Sequence, residues 1–309
     1  MVSTFNRVLV TGASGFIGRA VVASFAADGH AVRAAVRRPP QAPFCAGIEV
    51  MQHADFTQSV DWYSLLDNID AVIHLGGIAH AGRGLAPGLY DRINRQTSKD
   101  LATAAAKAGV SRFVFISSVR AQSGPVAEHV LSERDLPDPT DAYGASKLAA
   151  EEEVRSTGVP YTILRPVLVY GRGVKGNLAL LSRMAGLPVP LPLGSFSNQR
   201  SLLGLDNLSA ALKFVLSSPE TIGETYLVAD PGVSLALSEI VTILRRAKGR
   251  RERIFPVPPR FVEAMLRALR QEELWERVGG NLRVDTAKFI AAGWQPLHDT
   301  REGLTAMAQ

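Results

Sequence analysis

The chain has 309 residues, 46% of them hydrophobic, with a mean hydropathy of +0.08, which suits a folded protein with a sizeable core and leaves no apolar run near the roughly 18 residues of a membrane-crossing helix. A net charge of +5 is mild for this length, and the densest basic run, 245–253, has no interleaved aromatics for bases to stack on; it reads as a solvated helix end, which excludes a dedicated nucleic-acid binder while a general positive field still suits an anionic substrate. The lone cysteine, Cys45, excludes an intrachain disulfide, and the first residues lack a leader's charged start and cleavage site, so a reducing cytoplasm is the expected compartment.

Taken in chain order, short apolar runs alternate with helical patterns. Arg7–Thr11 reads as a buried strand and Phe16–Ala27 as a helix, with Ile17, Ala20, Val21, Ser24 and Phe25 on one face. Ala31–Val36 is a second strand, closed by Arg37-Arg38-Pro39-Pro40, and 48–51 a third. A fourth strand at 71–75 ends in Gly76-Gly77, an alanine-rich helix spans 94–108, and a fifth strand runs over 112–117. A helix over 141–156 and a sixth strand at 161–165 complete the alternation. Such an order predicts an α/β fold of Rossmann type: a doubly wound parallel sheet with right-handed crossovers and helices on both faces. Beyond Pro166 the pattern loosens. The stretch 171–204, rich in Gly and Pro, predicts loops and short elements over a site, followed by helices at 206–217, 235–248, 260–270 and 285–292. The expected division is a dinucleotide-binding domain, 1–170, and a smaller α/β substrate-binding subdomain, 171–309, interleaved with it near the site.

The loop Thr11-Gly12-Ala13-Ser14-Gly15-Phe16-Ile17-Gly18 joins the first strand to the first helix. Gly12 allows a tight turn, Gly15 close approach of phosphates and Gly18 close packing of helix on strand, while the helix N-terminus offers N–H groups to a pyrophosphate. At the end of the second strand an NAD site usually carries an acid for the ribose hydroxyls. Here Val36 is followed by Arg37 and Arg38, whose guanidiniums suit a 2′-phosphate. NADP(H) is therefore favoured, with NAD(H) as the alternative. Downstream, Tyr143 and Lys147 stand four apart on one helix face. A neighbouring ammonium lowers a phenol's pKa, so Lys147 is expected to ready Tyr143 for proton transfer beside the dinucleotide. Ser117 and Ser118, at the end of the fifth strand, supply a hydroxyl to orient a substrate. No metal site is expected.

With the glycine loop, the Ser-Ser strand end, Tyr-x-x-x-Lys and Leu164-Arg165-Pro166-Val167-Leu168-Val169-Tyr170-Gly171, the chain resembles the extended short-chain dehydrogenases/reductases of the nucleotide-sugar epimerase/dehydratase family, over nearly its whole length through Gly293-Trp294-Gln295-Pro296. The resemblance implies that Ser118 orients the substrate, that Tyr143 is the general acid/base and that Lys147 activates it. It also implies cofactor contacts from Gly12, Gly15, Phe16, Ile17, Gly18, Asp55, Phe56, Leu75, Gly76, Gly77, Asn94, Tyr143, Lys147, Pro166 and Val167, beside Arg37 and Arg38. On the substrate side it implies Asn177 and Arg200 at a nucleotide diphosphate, with Arg277 and Arg283 as candidates for a second arginine. Ser118 is followed by Val119-Arg120-Ala121-Gln122, so the acid pair of the family's dehydratases is missing.

The implied activity is oxidoreduction at C4 of a UDP-linked sugar. Leu193-Gly194 and Arg200-Ser201-Leu202-Leu203 resemble 4-reductases and epimerase-like proteins of bacterial surface-polysaccharide synthesis. With no acid at Val36, a 4-keto-sugar reductase is favoured; a UDP-hexose or UDP-N-acetylhexosamine 4-epimerase is the alternative. A regulatory protein that binds NADP without catalysis is the reading from another class, disfavoured because Ser118, Tyr143 and Lys147 are all present. By the same resemblance the partner beyond the sugar nucleotide is a second copy of the chain.

Overall fold

The computed structural model describes residues 5–79, 88–268 and 279–309. Strands β1 (Arg7–Thr11), β2 (Ala31–Val36), β3 (Glu49–Gln52), β4 (Ala71–His74) and β5 (Arg112–Ile116) share one sheet with β7 (Tyr161–Pro166) and β11 (Thr225–Val228). Its order is β11-β7-β5-β4-β1-β2-β3, with every pairing parallel. Three short pairs stand apart from it: β6 (Val130–Leu131) with β13 (Arg283–Val284), β8 (Leu168–Tyr170) with β10 (Leu202–Gly204), and β9 (Gln199–Arg200) with β12 (Leu235–Ala236).

Apart from the exposed edge strand β3, the sheet is buried on both faces because its strands are largely apolar on both. Val8 and Val10 of β1 point to one core, with Val21, Val22 and Phe25 of helix α1 (Phe16–Ala27) and Leu208, Leu212 and Val215 of α6 (Leu205–Ser217). Leu9 points to the other, against α2 (Trp62–Leu66), α3 (Thr97–Lys107) and α4 (Ala142–Ser156), through Leu65, Leu101 and Val154. Strand order reverses between β1 and β4, whose ends lie level, Thr11 opposite His74. That reversal opens the crevice in which doubly wound sheets bind ligands.

A third apolar cluster joins α5 (Gly176–Ala185), α7 (Leu237–Ala247) and the last helix, α10 (Thr300–Ala308), through Leu178, Ile240, Leu244 and Leu304. Helices α8 (Pro259–Ala268) and α9 (Ala287–Ala291) lie between. Two expectations are corrected here. The stretch expected to hold only loops and short elements contains ten-residue α5, whose Leu178 and Ala185 are buried; flanking Gly and Pro masked its helical spacing. The helix expected from residue 94 begins earlier, as a π-helical segment over Asp91–Gln96 that turns Asn94 inward, the setting in which such segments often serve a site. No helix of the described residues is long and apolar enough to cross a membrane.

Candidate active site

The glycine turn sits at the head of the crevice. Gly12 has φ +66°, and a Cβ there would stand 2.9 Å from the backbone of Leu75 and Gly76. At Gly18 a Cβ would meet the Gly12 carbonyl oxygen and, at 2.7 Å, the Ala13 Cα. The turn is thus pressed against both its own helix and the loop after β4, which is why glycine is required at these two positions. Gly15 caps α1 without any side-chain acceptor, and the first turn, Phe16, Ile17 and Gly18 included, holds no acidic residue. Its N–H groups and positive dipole end are available to an anion. This cradle fits the pyrophosphate of a dinucleotide.

The loop after β4 is fixed from both sides. Phe56 packs on Gly76, where a Cβ would approach its ring to 2.7 Å. The Asn94 Oδ1 accepts from the Ile78 N–H (2.9 Å), and its Nδ2 donates to the Ile78 carbonyl (3.0 Å) and to Ser146 Oγ (2.9 Å). Behind them runs a buried chain of hydrogen bonds that sequence reading missed. Ser98 Oγ donates to the Asn94 carbonyl (2.5 Å), so it accepts from His74 Nε2 (3.0 Å). His74 Nδ1 then accepts from Thr11 Oγ1 (2.6 Å), which itself accepts from the Gly76 N–H (3.2 Å). Ser146 Oγ continues the path to the Tyr143 carbonyl (2.7 Å). Burial, with Lys147 and His53 adding, lowers His74 to about 3, so it stays neutral. Replacing His74 with Leu is expected to leave Thr11 and Ser98 short of a partner. Denaturant unfolding should show a loss of about 2–3 kcal/mol, and titration with dinucleotide a weaker affinity.

At the far end of the crevice β7 closes on Pro166, and Val167 is buried behind it, its N–H on the Val228 carbonyl at 3.1 Å. Ser118 ends the loop after β5, its Oγ within hydrogen-bonding reach of the Tyr143 phenol and accepting from the Arg120 N–H at 3.1 Å. Tyr143 lies in the first turn of α4, capped by Asp141, which accepts from the Gly144 N–H at 2.8 Å. Lys147 is buried one turn on. Its Nζ donates to the Ile116 carbonyl (2.6 Å) and lies 4.2 Å from the Phe115 ring centre.

The electrostatics differ from expectation. Burial pushes the Tyr143 phenol up to about 12; Ser118 and the Arg120 guanidinium pull it down, and Asp141 and Tyr90 push it up. The ammonium of Lys147 is aimed at Ile116 rather than at the phenol, and burial lowers it to about 7 despite Glu151. At neutral pH the tyrosine is therefore held as a protonated acid.

A second buried cluster, also missed, supports this one. Glu151, one turn beyond Lys147, accepts from Ser117 Oγ (2.5 Å), Arg165 Nε (2.9 Å), Arg165 Nη2 (2.6 Å) and Arg155 Nη2 (3.0 Å). The signal was present: Tyr143, Lys147 and Glu151 repeat at four residues along one helix face.

At the end of β2, Arg37 pairs with Asp55 at 2.8 Å. The Asp55 carboxyl is held at about 2 by the Thr57 N–H and hydroxyl and by Arg37. A cleft of about 380 Å³ there is lined by Ser14, Arg19, Arg37, Arg38 and 39–42. On the other side of the site, Asn177 lies in the first turn of α5. The Arg200 guanidinium donates to the carbonyls of Gly280 (2.9 Å) and Pro125 (3.0 Å). Arg283 donates to the Glu128 carbonyl at 3.3 Å, and Arg277 lies outside the described residues.

The profile of the NAD dependent epimerase/dehydratase family matches residues 8–229. The chain belongs to that family. It is an enzyme of the short-chain dehydrogenase/reductase type, with a Rossmann-type parallel sheet. A UDP-glucose 4-epimerase of Vibrio cholerae is 31% identical over 98% of this chain and 95% of its own. A ceramide reductase of Caulobacter vibrioides is 31% identical over 69% of this chain and 61% of its own. Among solved structures, MoeE5 in complex with UDP-glucuronic acid and NAD is 26% identical, covering 98% of this chain and 97% of its own with a TM-score of 0.74.

Proposed function

We propose that this protein is an NADP(H)-dependent reductase of a UDP-linked 4-keto sugar. The observation that carries the reading is the end of β2, where Val36 replaces the ribose-binding acid and the adjoining cleft is lined by Ser14, Arg19, Arg37 and Arg38. Three guanidiniums and a hydroxyl around one opening suit a 2′-phosphate. The glycine turn and the α1 N-terminus would hold the pyrophosphate, and Asn94, Pro166 and Val167 would border the nicotinamide side.

A nicotinamide dinucleotide, when bound, supplies the hydride. The chain's own part is the proton. The Ser118 hydroxyl holds the C4 oxygen of the keto sugar. Tyr143, a protonated acid in its buried setting, gives its proton to that oxygen as the carbonyl carbon is reduced. Lys147, one turn along the same helix face, fixes the end of β5 through the Ile116 carbonyl, and solvent restores the phenol. Asn177 and Arg200 border the nucleotide diphosphate. The same reading places the protein in the cytoplasm and pairs two copies through α3 and α4.

A 4-epimerase using NAD is the second reading. Two observations favour it. Arg37 is already paired with Asp55. The Vibrio cholerae relative, matched over nearly the whole chain, is a UDP-glucose 4-epimerase.

One preparation separates the two. Protein purified without added dinucleotide, and able to oxidise NADPH with a UDP-4-keto-6-deoxy sugar, supports the reductase. Retained NAD together with interconversion of UDP-glucose and UDP-galactose overturns it in favour of the epimerase. In either case Tyr143→Phe should lose at least about 100-fold in turnover and still bind dinucleotide; unchanged turnover would sink the acid/base assignment.

A further inference from the structure

Arg120 has no role in any reading above, yet it bonds Ser118 and contacts the residues on either side of Tyr143. It stands on a single 3₁₀ turn, Val119–Ala121, directly after Ser118. Its N–H donates to Ser118 Oγ at 3.1 Å. Its Nη2 donates to Asp141 Oδ2, while Asp141 Oδ1 caps α4 by accepting from the Gly144 N–H at 2.8 Å. Its carbonyl is packed against Gly144, where a Cβ would meet the carbonyl oxygen and come within 3.0 Å of the carbonyl carbon. Arg120 Nε is buried and has no hydrogen-bond partner among the described residues. One residue thus holds the Ser118 hydroxyl with its backbone and both flanks of Tyr143 with its carbonyl and guanidinium.

We propose that Arg120 is a positioning residue for proton transfer: it clamps Ser118 to the first turn of α4 and sets a fixed cation beside the Tyr143 phenol. The inference rests on the reading of Tyr143 as the acid/base. In that step the phenol O–H bond breaks, the proton bonds to the C4 oxygen, and a phenolate is left until solvent reprotonates it. The phenolate forms in a buried site where the Lys147 ammonium is turned to the Ile116 carbonyl. An uncompensated anion there is costly. Arg120 supplies a cation that opposes the effect of burial on Tyr143, while Asp141 and Tyr90 act with burial and Ser118 acts against it. Burial lowers the half-buried Arg200 guanidinium and the Arg120 charge adds to that, so the field of Arg120 extends to a second cation. A guanidinium suits both tasks, because its fork can hold Asp141 while its planar charge stays beside the phenol.

The clamp and a mere structural cap predict different things. The test is an ultraviolet titration of the phenolate with saturating NADP+ or NAD+, wild type minus Tyr143→Phe. Arg120→Met should raise the Tyr143 midpoint by about one unit, a tenfold loss of phenolate at a given pH. Arg120→Lys, which keeps the charge, should stay within a few tenths of a unit of wild type. Asp141→Asn, which keeps a capping oxygen and removes the opposing charge, should lower the midpoint. In whichever assay of the preceding section the protein turns over, Arg120→Met should lower kcat about 10- to 100-fold with the dinucleotide KM unchanged, and Arg120→Lys should recover most of it. Melting curves establish that each variant is folded. An Arg120→Met midpoint equal to wild type overturns the inference. So do midpoints that move the same way in Arg120→Met and Asp141→Asn. If Tyr143→Phe keeps its turnover, the acid/base reading itself fails; if it is inactive while Arg120→Met titrates like wild type, only the role given to Arg120 fails.

Discussion

Replacing Glu151 with alanine is expected to destabilise the protein by about 3–5 kcal/mol. The carboxylate is fully buried, and it receives four hydrogen bonds from three residues on three elements: Ser117 after β5, Arg165 on β7 and Arg155 on its own helix. Truncation leaves the Arg165 guanidinium, 4% exposed, with Gln122 as its remaining side-chain partner and no counter-charge. Breaking one side of a buried pair is severe because an uncompensated charge stays in low dielectric. At about 1.5 °C per kcal/mol for a chain of 309 residues, the melting temperature should fall by roughly 5–8 °C. Glu151→Gln, which keeps the shape and an acceptor, should lose less. Replacing both partners, Glu151→Leu with Arg165→Met, should regain much of the loss, since an apolar pair carries no desolvation penalty. A loss below about 1 kcal/mol in Glu151→Ala would mean that water reaches Arg165 and that the cluster is not the support of α4 described above.

What could be read from the sequence followed distance along the chain. The glycine turn was legible because all its parts lie within one strand, one turn and one helix start, and Gly12 and Gly18 sit where a Cβ would collide with Leu75, Gly76 and Ala13. The Tyr143–Lys147 spacing was legible because a helix face repeats every three to four residues. The parallel, doubly wound character of the sheet followed from the alternation of apolar runs and helices, but its seventh strand, β11, lies beyond that alternation and was not read. Contacts closed by the fold were not legible. His74 lies 63 residues from Thr11 and 24 from Ser98, and nothing local to any of them announces the chain they form. Arg120 drew notice only as part of the stretch after Ser118 that lacks the dehydratases' acid pair, since its partner Asp141 is 21 residues away and belongs to a different element. Helix α5 was hidden for another reason. It is short and set among Gly and Pro, and the apolar cluster with α7 and α10, rather than local preference, holds it. The direction of the Lys147 ammonium lay beyond any spacing argument, because the Ile116 carbonyl that receives it is 31 residues away.

Replacing Lys147 with methionine is expected to stabilise the protein at neutral pH while abolishing turnover. Burial lowers the ammonium from 10.5 to about 7, so the folded state binds fewer protons than the unfolded state between those values. By linkage, this group makes stability rise with pH across that window; below about 7 its full penalty is present, and above 10.5 it is gone. At about 1.4 kcal/mol per pH unit, the fall from 10.5 to about 7 sets an upper limit near 5 kcal/mol. Methionine removes that penalty and fills similar space, but it loses the hydrogen bond to Ile116 and the contact with the Phe115 ring, roughly 1–3 kcal/mol together. The variant should therefore be more stable by about 1–3 kcal/mol at pH 6, and its advantage should shrink and then reverse as pH approaches 10.5. Denaturant melts of both proteins across pH 6–11 test this, and a difference that does not vary with pH would refute it. A lysine that weakens the fold wherever it is charged is what the proposed active site would ask for, and the pH at which the two stability curves cross would mark where the amine stops being a burden to the fold.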